Sequence, residues 1–124
     1  ACPKLVLLVE SGKTSGPEVE EAVSCYLKTF KSTGIDTLVL GCTHYPVLTD
    51  IIRRYLDPDV VIVDPAVETV TEIKKLIAKK GLVVDCAYPV YNFYTSGDPE
   101  LFVKVGSMIL GWPIDKVEKV VLDA

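Results

Sequence analysis

The chain has 124 residues, 49% of them hydrophobic and 24% charged, which is enough for one ordinary globular domain with a real core. Its formal net charge is -4 and its 13 basic residues are scattered, so no electrostatic footprint for nucleic acid stands out and no nucleic-acid partner is expected. The longest apolar stretch, Leu5 to Val9, falls far below the roughly 20 residues that cross a bilayer, and no charged leader or cleavage site accompanies it, so neither a membrane span nor a signal peptide is expected.

In chain order, Cys2-Pro3-Lys4-Leu5-Val6-Leu7-Leu8-Val9-Glu10 comes first, with no start signal before it, as though the sequence opened inside a domain. A strand or an ordered entry loop is the expectation there. From Pro17 to Lys31, Val19, Val23, Tyr26, Leu27 and Phe30 recur at three- and four-residue steps, which predicts a helix with one apolar face. Ser15 and Glu18 resemble a capping box, placing the start near Gly16 and the end before Gly34.

Asp36 to Gly41 is a short apolar run bounded by glycine, the pattern of a buried central strand in a parallel sheet, with Cys42 at its carboxyl end. A second helix is predicted over Val47 to Leu56, with Ile51, Ile52 and Tyr55 inward, followed by the strand Val60 to Val63. Asp64-Pro65 reads as an N-cap and first helical proline, opening a helix lined by Val67, Val70, Ile73 and Ile77 that stops at Gly81. Val90 to Thr95 has the aromatic and β-branched character of a strand. Asp98-Pro99 opens a helix carrying Leu101, Val105, Met108 and Ile109 inward as far as Gly111, and Lys116 to Leu122 is ambiguous. Strands alternating with helices predict an α/β fold, a mainly parallel sheet with flanking helices.

The four cysteines, at 2, 25, 42 and 86, lack metal-type spacing and the density of a disulfide scaffold, so reduced thiols in a cytoplasmic protein are expected. The stretch Gly41-Cys42-Thr43-His44-Tyr45-Pro46 is the most informative, because it falls between a predicted strand and a helix, where open α/β sheets put their ligand sites. A thiol there feels a helix N-terminus, which favours the thiolate and makes Cys42 a base or a nucleophile. His44, the single histidine, is the natural group to protonate or orient it, and Thr43 offers a hydroxyl and a backbone N–H to a carboxylate. The plainer alternative is that Cys42 is a small buried hydrophobe at a strand end. A phosphatase loop would need an arginine soon after the cysteine, whereas the first is Arg53; a redox pair would need Cys-x-x-Cys; a zinc site would need more ligands than one histidine and dispersed cysteines supply. No metal site is expected.

The hexapeptide Gly41 to Pro46, directly after Asp36-Thr37-Leu38-Val39-Leu40, resembles the second active-site motif of bacterial glutamate racemases. Ala1-Cys2-Pro3 followed by Leu8-Val9-Glu10-Ser11-Gly12 resembles that family's upstream loop, and Phe93-Tyr94-Thr95-Ser96-Gly97-Asp98-Pro99 resembles its final strand and helix entry. The resemblance implies a two-domain racemase fold, in which residues 1–64 belong to the second α/β domain and residues 65–124 complete the first. It implies cofactor-independent interconversion of L- and D-glutamate by two cysteines, one acid/base thiol on each face of the α-carbon, supplying D-glutamate for peptidoglycan. Cys42 would be one thiol of that pair, His44 the residue assisting it, Thr43 a substrate-binding residue and Glu10 an acidic residue at the site edge. For Glu10 a solvated turn carboxylate beside Ser11-Gly12 is an equal alternative.

The family's earlier Asp-Ser and Cys-Asn-Thr motifs are not among these residues, and Cys2, Cys25 and Cys86 are read as structural. The resemblance therefore implies a missing N-terminal half as partner, no pyridoxal phosphate, metal or nucleotide, and an isolated chain that does not racemise; a homodimer is left open. Two other readings stand beside it: a carboxylate-binding or assembly module that keeps the fold without the chemistry, and an aspartate racemase of the same superfamily.

Overall fold

The computed structural model describes residues 1–82 and 88–122, so Cys86 lies outside the described residues. The first element is a helix, α1 (Pro3–Glu10), where a strand or entry loop was expected. Pro3 presets φ at its start, and Leu5, Leu8 and Val9 form the buried stripe at helical spacing. The unbroken apolar run hides that period, because Leu7 belongs to it yet stays exposed. No side chain of its own caps α1. Instead the Cys2 and Lys4 N–H groups donate to the hydroxyls of Tyr45 (3.0 Å) and Tyr26 (3.4 Å), which serve donors that a helix start leaves without internal partners.

The second helix, α2 (Pro17–Leu27), starts where expected and gives way to a 3-10 turn at Lys28–Phe30 before Gly34. The capping box does not form. Gly16 itself is the N-cap, with φ 96 and ψ 173, a backbone state open to glycine that a β-carbon opposes. Glu18 is drawn instead to Lys13, 2.7 Å away.

Strands β1 (Thr37–Val39) and β2 (Val61–Val63) run parallel in the register Thr37 to Val61, Leu38 to Ile62 and Val39 to Val63. Between them lie a 3-10 turn (Tyr45–Leu48) and α3 (Thr49–Arg54), completing the expected βαβ unit. β1 is not the buried central strand its composition suggested. Val39 and Val61 are each 57% exposed, since each strand has one neighbour among the described residues.

The core lies on the helix side of this pair. Leu5, Leu8 and Val9 of α1 meet Val19, Val23 and Leu27 of α2, and Leu40, Leu48, Ile51 and Ile52 close the cluster from the βαβ unit. Across its surface the Tyr55 hydroxyl donates to Glu20 at 2.7 Å and the Arg54 guanidinium pairs with the same carboxylate, tying α3 to α2.

The C-terminal elements are α4 (Pro65–Lys79), β3 (Phe93–Thr95), α5 (Pro99–Leu110) and β4 (Val117–Lys119). Both predicted aspartate caps form: Asp64 and Asp98 accept the N–H of Ala66 and Glu100, each at 2.9 Å. Gly111 ends α5 in the left-handed region at φ 73. The ambiguous final segment is a strand, and β4 pairs with β3 in parallel, making a second sheet. The apolar stripes of α4 and α5 occur at the expected positions, but neither helix has a fully buried residue, and Val67, Val70, Ile73, Leu101, Met108 and Ile109 are all exposed. An amphipathic period shows that a face is apolar; what covers it is decided by other parts of a structure.

Two expectations follow. Leu48, 1% exposed in the middle of the cluster, should lose about 2–5 kcal/mol of stability as Leu48→Ala, measured by urea denaturation. The Tyr55 hydroxyl, first, and the Arg54 guanidinium, second, hold the Glu20 carboxyl below its ordinary value. A depressed folded-state value gives stabilisation that is present above the unfolded-state value and is lost as pH falls through the folded one. Glu20→Gln should therefore be less stable than the parent at pH 7, and denaturation midpoints taken at decreasing pH should show the gap closing.

Candidate active site

β1 ends sharply. The Leu40 N–H still donates across to Val63 at 2.9 Å, but the Gly41 N–H turns back onto Val39 at 3.0 Å, so the chain leaves the sheet at Gly41. The Tyr45 N–H then donates to the Cys42 carbonyl at 3.2 Å and closes a turn over Cys42–Tyr45. These bonds fix Cys42 at the carboxyl end of a parallel strand, the position that open α/β sheets use for ligands.

The sulfur is half-buried and has a partner. Cys42 Sγ lies 3.8 Å from His44 Nδ1, and Thr43 Oγ1 lies 3.3 Å from the same nitrogen. On the far side of the ring, His44 Nε2 is 3.4 Å from Glu10 Oε1, with the imidazole side chain 27% and the carboxylate 49% exposed. Thiol, imidazole and carboxylate thus form one chain of three groups, assembled from residues 42, 44 and 10. The structure brings together all four residues singled out in the sequence, with Glu10, the last residue of α1, presenting a half-exposed carboxylate to the imidazole.

The helix-terminus contribution is smaller than the sequence suggested. The turn after Cys42 leads into a 3-10 segment, and α3 begins only at Thr49, whereas a helix dipole acts mainly within its first turn. The side-chain partner of the Cys42 sulfur is His44, with Glu10 on the far ring nitrogen.

Cys42 borders two clefts. One, of about 560 Å³, is apolar and runs between α1, α2 and β1 past Cys2, Leu5, Tyr26, Val39 and Tyr45. The other, of about 510 Å³, opens at the carboxyl ends of β1 and β2 and is bordered by Cys42, Thr43, Pro46, Asp64, Pro65 and Ile109. Both are lined mostly by apolar groups, and the second adds Thr43 beside the sulfur at the carboxyl end of the strand.

Sequence reasoning gave no role to Tyr45 and read Cys2 as structural. The Tyr45 hydroxyl takes the Cys2 N–H at 3.0 Å across 43 positions of sequence. Burial, the largest influence, pushes the Tyr45 phenol above its ordinary value; the Cys2 N–H pulls the other way, and the Cys2 and Cys42 side chains add to the rise. The phenol accordingly keeps its proton at neutral pH. Only its place in the hexapeptide could have drawn attention to it. Cys25, read as structural, is exposed on α2 rather than packed in the core. Among the described residues no group of three or more His, Cys, Asp or Glu side chains is gathered as a metal site would need.

No family model matches the chain. Individual relatives do. The chain is 40% identical over 117 residues to a protein named glutamate racemase from Thermoanaerobacter sp. (strain X514), covering 94% of this chain and 44% of that one. It is 40% identical over 129 residues to the glutamate racemase of Desulforudis audaxviator (strain MP104C), covering 98% and 47%. The crystal structure of glutamate racemase from Francisella tularensis subsp. tularensis SCHU S4 in complex with D-glutamate superposes with a TM-score of 0.82 at 34% identity, over 96% of this chain and 45% of that one. That of Thermus thermophilus in complex with beta-chloro-D-alanine gives 0.84 at 32%, over 98% and 46%. The chain thus spans a little under half the length of the relatives it matches.

If the 3.8 Å contact with His44 bears on the reactivity of the sulfur, His44→Asn should slow carboxamidomethylation of Cys42 by iodoacetamide at pH 7 by about tenfold. Peptide mass mapping separates Cys42 from the other thiols, and an unchanged rate would contradict the arrangement.

Proposed function

We propose that this chain, which belongs to the glutamate racemases over nearly its whole length, supplies one of two opposed thiols that invert the α-carbon of glutamate, the other coming from the N-terminal part of a longer enzyme. The observation that carries this reading is the Cys42 sulfur 3.8 Å from His44 Nδ1, with Glu10 on the far ring nitrogen, beside an open cleft that Thr43 also borders.

In the reaction so read, His44 with Glu10 behind it takes the Cys42 proton. The thiolate then removes the α-hydrogen: the C–H bond breaks, an S–H bond forms, and the electron pair stays on the α-carbon. A protonated thiol on the opposite face delivers its proton to that carbon, and its S–H bond breaks as the new C–H bond forms with inverted configuration. In the reverse direction Cys42 is the acid. Each thiol needs to change protonation state once per turnover, which is the task of a group that shuttles a proton near neutral pH. Thr43, at the mouth of the cleft, would hold the α-carboxylate with its hydroxyl and backbone N–H. The chemistry of this reading calls on no cofactor.

The same reading assigns residues 1–64 to one α/β unit and 65–124 to another. Two features support the assignment: the β1–β2 and β3–β4 ladders form separate sheets, and the buried cluster draws only on residues up to Ile52. The exposed apolar stripes of α4 and α5 would be covered by the N-terminal half. The product would serve peptidoglycan synthesis in the cytoplasm of a bacterium.

The test is exchange of the α-hydrogen of L- or D-glutamate with deuterium oxide, followed by NMR, in a protein joining these residues to an N-terminal half that carries the second thiol. Exchange and racemisation are expected, with a loss of about a thousandfold or more on Cys42→Ala. A folded, recombined protein that binds glutamate and exchanges nothing would end the proposal.

A further inference from the structure

Consecutive residues of the Cys42 turn reach opposite ends of the same helix. His44 meets Glu10, the last residue of α1, at 3.4 Å, and Tyr45 meets Cys2, the residue capping its start, at 3.0 Å. Those contacts stand at the two ends of the 8 residues of α1, a length of about 12 Å at the rise of an α-helix. The Cys42 turn and α1 are thus fastened to each other at two places, one of them a contact of the thiol's own partner.

The Tyr45 fastening has features that plain core packing lacks. α1 has no side-chain cap of its own, so the Cys2 N–H would be left without a partner in a half-buried place if the phenol were not there. The phenol ring lies against the core cluster, which limits where the hydroxyl can go. The backbone of Tyr45 also closes the turn, its N–H on the Cys42 carbonyl. One residue therefore sets the turn that displays the sulfur and caps the helix that presents the carboxylate. A slide of α1 by one residue, about 1.5 Å, would shift the point from which Glu10 reaches the imidazole.

We propose that Tyr45 is a positioning residue: its hydroxyl, by capping α1 at Cys2, fixes the register in which Glu10 meets His44 and so how His44 stands against the Cys42 sulfur. The consequence for turnover rests on the racemase reading above, whereas the consequence for thiol reactivity does not. The groups facing this fastening are the Cys2 thiol from the start of α1, the Cys42 thiol and His44 from the turn, and Glu10 from the end of α1.

The test is a double-mutant cycle of Tyr45→Phe and Glu10→Gln in the full-length protein that contains these residues, read by kcat, by KM, and by the rate of Cys42 carboxamidomethylation at pH 7. Tyr45→Phe is expected to lower kcat and the alkylation rate by about tenfold with KM changed by less than about twofold, as removal of support for the reacting group requires. Glu10→Gln should then cost much less in the Tyr45→Phe background than alone, because both act through one register. Full additivity of the two changes, or a Tyr45→Phe protein with the parental alkylation rate, would overturn the proposal. If the parent protein exchanges no α-hydrogen, the racemase reading fails while the alkylation cycle still decides the register. Should Tyr45→Phe not fold, amide hydrogen exchange of the parent decides: the Cys2 N–H is expected to be protected, and an unprotected one refutes the cap.

Discussion

The parallel pairing of Thr37–Val39 with Val61–Val63 is the constraint on which the site depends. Parallel neighbours cannot be joined by a tight hairpin, so the chain must leave the sheet, cross over and return. The departure point is fixed by the last ladder bond, from the Leu40 N–H to Val63. Everything chemical is placed by that exit: Cys42 two residues beyond it, the turn over Cys42–Tyr45, and then the helix α3, whose Ile51 and Ile52 anchor the crossover in the core. The short ladder gains its rigidity from what packs beneath it. Leu40 and Leu48 are nearly inaccessible on either side of the turn, so the loop carrying the thiol is pinned at both ends by buried leucines.

Against that fixed turn lies α1, and its position converts a cysteine and a histidine into a three-group chain. Neither Cys42 nor His44 has the helix-end field that its place after a strand suggested, because α3 starts too late. The compensating charge comes from a carboxylate 34 positions earlier in sequence, delivered by a helix whose core stripe of Leu5, Leu8 and Val9 locks its rotation. Burial of that stripe faces α1 toward α2, while the contacts at its two ends govern its position along the axis. Rotation is a hydrophobic matter and axial register a polar one, which is why hydrogen bonds at Cys2 and Glu10 bear on the site more than their individual strength of about 1 kcal/mol implies.

Much of this was legible in the residues. The βαβ unit, the aspartate-proline helix starts at 64 and 98, the glycine stop at 111 and the place of Cys42 all rest on local rules of capping, φ preference and period, which a sequence displays directly. The errors have local causes too. At Cys2–Glu10 an unbroken apolar run concealed a helical stripe, and at Ser15–Glu18 a capping box was outcompeted by Gly16 and by Lys13. β1 reads as a buried strand because its side chains are apolar on both faces, and apolar composition cannot say how many neighbours are at hand to cover them.

The alternation of strands and helices, the thiol's place at a strand's carboxyl end, and the imidazole two residues on can be read from the order of residues, since each depends on neighbours within a few positions. Tertiary structure alone decided that Glu10 stands behind that imidazole, that Tyr45 caps α1 at Cys2, and that the apolar faces of α4 and α5 lie open. Those outcomes depend on the rotation, register and covering of whole elements, which are set by packing between segments tens of residues apart and leave no periodic trace in any one of them.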